Sequence, residues 1–105
     1  MKRRCVVRPE AEVEIADAFA WYEDCNPGLG SEFLLCVDSV FNTILRAPQL
    51  FSRVHRLVRR ALMRRFPCIN ARHQVLFVED DERVVVLSVF HAKRNPKRWQ
   101  NRIAS

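Results

Sequence analysis

Residues 26–30, Asn-Pro-Gly-Leu-Gly, constrain the fold of this chain more than any other short segment. They include both of its 2 glycines and one of its 5 prolines. Proline lacks a backbone donor and glycine tolerates positive φ, so regular structure is expected to stop here. Apolar residues recur at helical spacing before and after the break, which predicts a hairpin of two helices.

Each predicted helix has recognisable ends. Pro9 suits the first turn of a helix over residues 9–24, and Glu10, Glu12 and Glu14 favour its positive N-terminal end. Ser31 is the expected N-cap of the second helix, and Pro48 closes it. A short apolar segment, residues 5–7, precedes the first helix and predicts a strand.

The second half of the chain changes to a strand-like pattern. Residues 56–66 mix apolar and basic positions and predict a strand, with a helical turn at its start as the alternative. Residues 75–78 predict the next strand, and residues 79–82 are a polar turn. Residues 83–91 are apolar on both faces, as expected of a central strand.

These elements predict an α+β fold in the order β-α-α-β-β-β, with the helical hairpin packed on a small, mainly antiparallel sheet. The expected centre of the core combines the helical stripe and the last strand: Phe33, Val37, Phe41, Ile44, Val85, Leu87 and Val89.

Composition limits the class of protein. A chain of 105 residues suits one domain over residues 1–105, and 49% hydrophobic with 29% charged residues is typical of a folded protein. The apolar runs are too short for a membrane span or a signal peptide, so a cytoplasmic location is expected. The 4 cysteines lack CxxC spacing and the 3 histidines are scattered, so we expect no metal, no cofactor and no disulfide framework.

Charge divides the chain into two unlike halves. Residues 1–50 carry 5 basic and 8 acidic side chains, whereas residues 51–105 carry 13 basic and 4 acidic ones. The second half can therefore present a basic face to nucleic acid or to an acidic protein, although a solvated polar face is the alternative.

Several segments taken together resemble the RelE/ParE toxin superfamily of type II toxin–antitoxin systems, most closely its ParE-like plasmid stabilisation branch. The segments are Trp21-Tyr22-Glu23 with Pro27-Gly28-Leu29-Gly30 and Phe33, then Val58-Arg59-Arg60-Ala61-Leu62 with Arg64-Arg65-Phe66-Pro67, and finally Val84-Val85-Val86-Leu87 with Phe90-His91-Ala92-Lys93-Arg94-Asn95-Pro96. The resemblance implies a toxin that is neutralised by a cognate antitoxin in a hetero-oligomer. Residues 68–74 depart from the family pattern, because the connection is longer and lacks the usual aromatic residues.

The superfamily offers two activities. ParE-like members are associated with poisoning of DNA gyrase, and RelE-like members cleave messenger RNA, often on the ribosome. RNA cleavage without a metal needs a general base and a general acid. The C-terminal segment lacks the usual tyrosine or histidine, and Tyr22, in the first helix, is better explained by core packing, so we favour a binding toxin that is not an enzyme.

Site residues follow from this choice. The predicted contacts to target or antitoxin are Arg59, Arg60, Arg64, Arg65, His91, Lys93, Arg94, Arg98 and Trp99. For the alternative, a ribonuclease acting on RNA or the ribosome, the catalytic candidates are Arg65, His73, His91 and Arg94.

Overall fold

The computed structural model describes residues 3–63 and 73–91, with His91 described by its backbone. Two helices, α1 (Pro9–Cys25) and α2 (Leu29–Arg46), are followed by a 3-10 turn (Pro48–Leu50). The strands are β1 (Arg4–Val7), β2 (Arg53–His55), β3 (Val58–Leu62), β4 (His73–Glu79) and β5 (Arg83–His91). They form a five-stranded sheet in the order β1-β5-β4-β3-β2, in which only the β1–β5 pair is parallel. The predicted α+β fold is confirmed.

The hairpin of α1 and α2 turns at the predicted break, but its capping differs from the expectation. The N-cap of α2 is Gly28, with φ of 91°, so Ser31 lies inside the helix and is not the cap. The Glu23 Oε1 atom on α1 accepts hydrogen bonds from the backbone N–H groups of Gly28 (3.0 Å) and Gly30 (2.8 Å). A carboxylate from the neighbouring helix thus accepts from the amides of the cap residue and of the first turn, and no capping side chain is used.

The predicted strand over residues 56–66 is wrong at its start. Arg56 and Leu57 form a turn, and the chain before it adds the short strand β2 at the sheet edge. Only residues 58–62 of the predicted strand lie in β3, and residues 64–66 fall outside the described part. Two extended segments joined by a two-residue turn form a hairpin, which satisfies more backbone groups than one lone edge strand.

Apolar residues are buried on both faces of the sheet. Phe33, Val37, Ile44 and Val89 lie in the main core with the helices, as predicted, and Phe41 is half-buried against it. Val85 and Leu87 instead join a second cluster with Val58, Leu76 and Phe90. The register explains the change: Phe77 pairs with Val86 and Leu76 with Ser88, so Leu87 is an extra, bulged residue in β5.

Glu14 on α1 completes the edge of β5. Strand β1 accompanies β5 only as far as Val86, the partner of Val7. Beyond it, the buried Glu14 Oε1 atom accepts hydrogen bonds from the Ser88 hydroxyl (2.8 Å) and the Val89 backbone N–H (3.2 Å). In the described part of the chain, the carboxylate therefore supplies an acceptor to β5 where its pairing with β1 has ended.

Candidate binding surface

The β2–β3 hairpin concentrates positive and apolar side chains at the edge of the sheet. Residues 47–63 contain four arginines and no acidic residue. Three of these arginines are exposed, and large aliphatic side chains beside them are also exposed, with Leu50 at 75% and Leu57 at 68%. These side chains surround the hairpin and do not share one face: Arg53 pairs with Arg59, and Arg60, the next residue, faces the opposite side of the strand. We call this set the hairpin surface; its members are Leu50, Arg53, Val54, Arg56, Leu57 and Arg60.

Arg56 occupies a backbone conformation that suits glycine. Its φ is 51°, and it is the one non-glycine residue with positive φ in the described part of the chain. Arg56 is the first central residue of the two-residue turn between the paired residues His55 and Val58, a position at which the favoured hairpin turns have positive φ. For a residue with a Cβ atom, that conformation costs about 1–2 kcal/mol.

Arg59 is engaged within the protein. Its Nε atom lies 3.2 Å from Glu79 Oε1 on β4, and its Nη1 donates a 2.6 Å hydrogen bond to the Phe51 carbonyl. The side chains of Arg59 and Glu79 are only 12% and 20% exposed. This predicted contact residue thus fastens the hairpin to the sheet, whereas its neighbour Arg60 is exposed.

An open, largely apolar groove of about 470 Å³ lies between α2 and the β3 side of the sheet. Leu35, which is 68% exposed, stands on its α2 wall. We call this the α2 groove; it is lined by Leu35, Cys36, Ser39, Val40, Thr43, Phe51 and Leu62. The groove and the hairpin surface are adjacent in the chain, because Phe51 of the groove directly follows Leu50 of the hairpin surface.

Tyr22 and His73 meet in the core. The Tyr22 hydroxyl and His73 Nδ1 form a 3.2 Å hydrogen bond, and both rings stack at tilted angles with Phe33 at 5.1 Å between centroids. Tyr22 is 0% and His73 is 7% exposed. The packing role expected for Tyr22 is confirmed, and the imidazole named for the nuclease alternative lies beside it.

Of the remaining predicted site residues, the structure describes only the backbone of His91. His91 ends β5, where its Cα pairs with that of His73 on β4. Arg64, Arg65, Lys93, Arg94, Arg98 and Trp99 lie outside the described residues. Of the predicted contacts, the described side chains are therefore Arg59 and Arg60.

The acidic turn before β5 is a hairpin turn. The Asp80 Oδ1 atom accepts hydrogen bonds from the backbone N–H groups of Glu82 and Arg83, each 2.8 Å long. These two bonds lower the pKa of the exposed Asp80 carboxyl below its ordinary value.

Within residues 3–63 and 73–91, no cluster of three acidic, histidine or cysteine side chains is placed to hold a metal ion. Neither helix there is long and apolar enough to cross a membrane.

Sequence reasoning missed the apolar half of the hairpin surface and the α2 groove. The signal for the first was present: an acid-free segment in which arginines alternate with aliphatic residues. The groove left a weaker signal, because Leu35 lies off the buried stripe of α2 that includes Phe33 and Val37. There was no sequence signal for the contact of Glu14 with β5, because an acidic residue early in a helix is already explained by the helix dipole.

Comparison with known proteins identifies the family. The model of the ParE toxin of the type II toxin–antitoxin system, parDE, matches residues 6–96. The chain is also 30% identical to Toxin ParE2 of Mycobacterium tuberculosis strain CDC 1551 / Oshkosh, over 99% of this chain and 95% of that protein. Toxin ParE2 of strain ATCC 25618 / H37Rv shows the same identity and coverage. The chain therefore belongs to the ParE toxin family, within the RelE/ParE superfamily of type II toxins.

Proposed function

We propose that this toxin inhibits growth by binding and poisoning DNA gyrase, and that it does not cleave RNA. One observation carries the choice between the two activities: Tyr22 and His73 are buried and hydrogen-bonded to each other. A gyrase target would place the toxin in the cytoplasm.

Burial matters because of what RNA cleavage requires. A general base must come within about 3 Å of the 2′-hydroxyl that it deprotonates, directly or through one water. An imidazole that is 7% exposed, covered by the Tyr22 and Phe33 rings, offers little access to a ribose. The nuclease alternative keeps one supporting observation, the pairing of His73 with His91 at the ends of β4 and β5.

A binding toxin needs exposed contact groups, and the chain has them. Arg60 is exposed on β3 and remains in the proposed contact set. Arg59 supports it indirectly, by holding the hairpin against Glu79 and the Phe51 carbonyl. Arg64, Arg65, His91, Lys93, Arg94, Arg98 and Trp99 stay in the proposal on the strength of their sequence pattern: arginine and tryptophan are frequent anchors of protein interfaces.

We further propose that the cognate antitoxin seats an apolar segment in the α2 groove. The volume of about 470 Å³ and the aliphatic side chains of Leu35 and Leu62 suit apolar side chains of a peptide. Two groove residues, Phe51 and Leu62, are each two positions in the chain from an exposed arginine, Arg53 and Arg60, so acidic residues beside the apolar ones would be favoured. The product is a toxin–antitoxin hetero-oligomer.

A paired assay tests the proposed activity. Purified toxin is added to gyrase with relaxed plasmid in one tube and to ribosome-bound messenger RNA in another. We expect loss of supercoiling in the first and intact RNA in the second. RNA fragments that disappear with a His91→Ala variant, together with unaffected supercoiling, would contradict the proposal and support the nuclease.

A further inference from the structure

We propose that the hairpin surface is the docking site for an acidic, partly apolar protein surface on the toxin's target. The proposal rests on the proposed function in one respect: it takes the toxin to act by contact. It goes further by assigning that contact to the β2–β3 hairpin. Of the contact residues predicted from the sequence, only Arg59 and Arg60 lie in this hairpin.

Charge indicates the acidic character of the partner. Arg53, Arg56 and Arg60 are exposed, and the segment that carries them contains no aspartate or glutamate. The fourth arginine, Arg59, is paired with Glu79 inside the protein. The exposed cations therefore face outward without local acidic neighbours in the sequence, and an acidic surface would complement them.

The exposed aliphatic residues indicate that the partner is a protein. Leu50, Val54 and Leu57 are 75%, 40% and 68% exposed, which is unfavourable in water unless another apolar surface covers them. A phosphate backbone is bound by cations and polar groups and gives no such cover. Arginine is enriched in protein interfaces, so exposed arginines beside exposed aliphatic side chains favour a protein partner.

The backbone of Arg56 adds an independent reason. At φ of 51°, glycine would relieve the strain, yet the chain carries a long cationic side chain there. Strain of this kind concentrates at functional sites, where the side chain is needed despite its conformation. Because Arg56 lowers the stability of the turn, we assign its side chain, at the tip of the hairpin, to contact with the partner.

The hairpin is also held in place before any partner arrives. Arg59 links β3 to β4 through Glu79 and to the segment before β2 through the Phe51 carbonyl. The Arg60 backbone N–H donates a further 3.1 Å hydrogen bond to the Ser52 carbonyl. A fixed hairpin loses less conformational freedom on binding, which favours affinity.

Three variants test the assignment, and each of the two double variants has a control. Leu50→Ser/Leu57→Ser removes the apolar part, and Val13→Ser removes a similarly exposed aliphatic side chain on α1. Arg53→Ser/Arg60→Ser removes charge, and Arg4→Ser removes an exposed arginine from β1. Arg56→Gly relieves the strain and deletes the cation. Each purified variant is measured for half-inhibition of gyrase supercoiling, for growth arrest on expression, and for thermal unfolding.

Both double variants should raise the half-inhibitory concentration at least about tenfold with unfolding temperatures close to wild type, whereas the controls stay within about twofold. Arg56→Gly should weaken inhibition about threefold or more without lowering the unfolding temperature. Wild-type potency in the leucine variant would overturn the proposal. If only the arginine variants lose activity, the apolar residues are not part of the contact, and the proposal is again overturned.

The same set separates this inference from the proposed function. If wild-type toxin arrests growth but leaves gyrase unaffected, the gyrase proposal fails, and the growth-arrest readings then decide the hairpin assignment by the same comparisons. If the wild-type toxin is inactive in both assays, both proposals fail.

Discussion

Glu14 shows how one side chain can supply an acceptor to a strand beyond the end of its neighbour. Its carboxylate serves Ser88 and Val89 where β1 no longer accompanies β5. A buried donor left without an acceptor loses its hydration and gains nothing in return. The position therefore depends on an acceptor oxygen more than on the charge itself.

Replacing Glu14 tests this role. Glu14→Ala should lower the free energy of unfolding by about 2–4 kcal/mol, because two hydrogen bonds are lost in a buried place. Glu14→Gln keeps an acceptor oxygen and should cost less than the alanine variant. Chemical denaturation of both variants measures the difference. Equal losses for Ala and Gln would show that the hydrogen bonds are not what the residue contributes.

Gly30 is needed for space. A Cβ atom there would lie 2.6 Å from Glu23 Cγ and 2.8 Å from the Phe19 carbonyl oxygen. Gly30→Ala should therefore destabilise the fold by about 1–3 kcal/mol through displacement of α1 from α2. Gly28, whose added Cβ meets nothing within 4 Å, is needed for its positive φ, so Gly28→Asn should be tolerated better than Gly28→Ala. Thermal unfolding of the three variants checks this, and a neutral Gly30→Ala would refute the close approach.

Asp80 gives a pH dependence with a defined sign. Its pKa is lowered in the folded protein by the backbone N–H groups of Glu82 and Arg83. The stability it contributes is therefore present above the unfolded value of about 3.9 and is lost as pH falls through the lowered pKa. The stability advantage of wild type over Asp80→Asn should shrink between pH 6 and pH 3. An advantage that grows toward low pH would contradict the assignment.

At the scale of elements, the β2–β3 hairpin depends on the Arg59–Glu79 pair. Arg59→Lys keeps the charge but cannot reach Glu79 and the Phe51 carbonyl together, so we expect a loss of about 1–2 kcal/mol in unfolding free energy. The exposed Arg60→Lys is the control and should change stability by less than about 0.5 kcal/mol. Denaturant unfolding of both variants tests this, and equal effects would remove the structural role given to Arg59.

Sequence pattern predicted the elements that have a clear period. Both helices and the strands β4 and β5 followed from the spacing of apolar residues, and the break between the helices followed from Gly28 and Gly30. The β2–β3 turn was missed because it places Arg56 at positive φ, where the expected marker is glycine or asparagine. The face of Leu87 was misassigned because a bulge shifts the alternation, and no local residue type announces a bulge.

At the scale of the whole molecule, the site could be predicted only in part. The basic second half and the family resemblance pointed to Arg60, which is exposed, but equally to Arg59, which is bonded inside the protein. Arg59 and Arg60 are consecutive and so face opposite sides of the strand, but the spacing does not say which side is covered. The residue that holds Arg59, Glu79, lies 20 residues further along the chain. The described surfaces, a basic and apolar hairpin beside an apolar groove, suit a protein that acts by contact.

The central claim is that the toxin acts by binding, and one measurement tests it most directly: the concentration of toxin that half-inhibits gyrase supercoiling, for wild type and for His91→Ala. Loss of one contact usually weakens binding by about tenfold or less, so the two curves should lie within that factor. A general acid or base contributes about 10²–10⁴-fold to a reaction rate. Failure of the wild type to inhibit gyrase, or a rise of about a hundredfold or more in the half-inhibitory concentration of His91→Ala, would contradict action by binding.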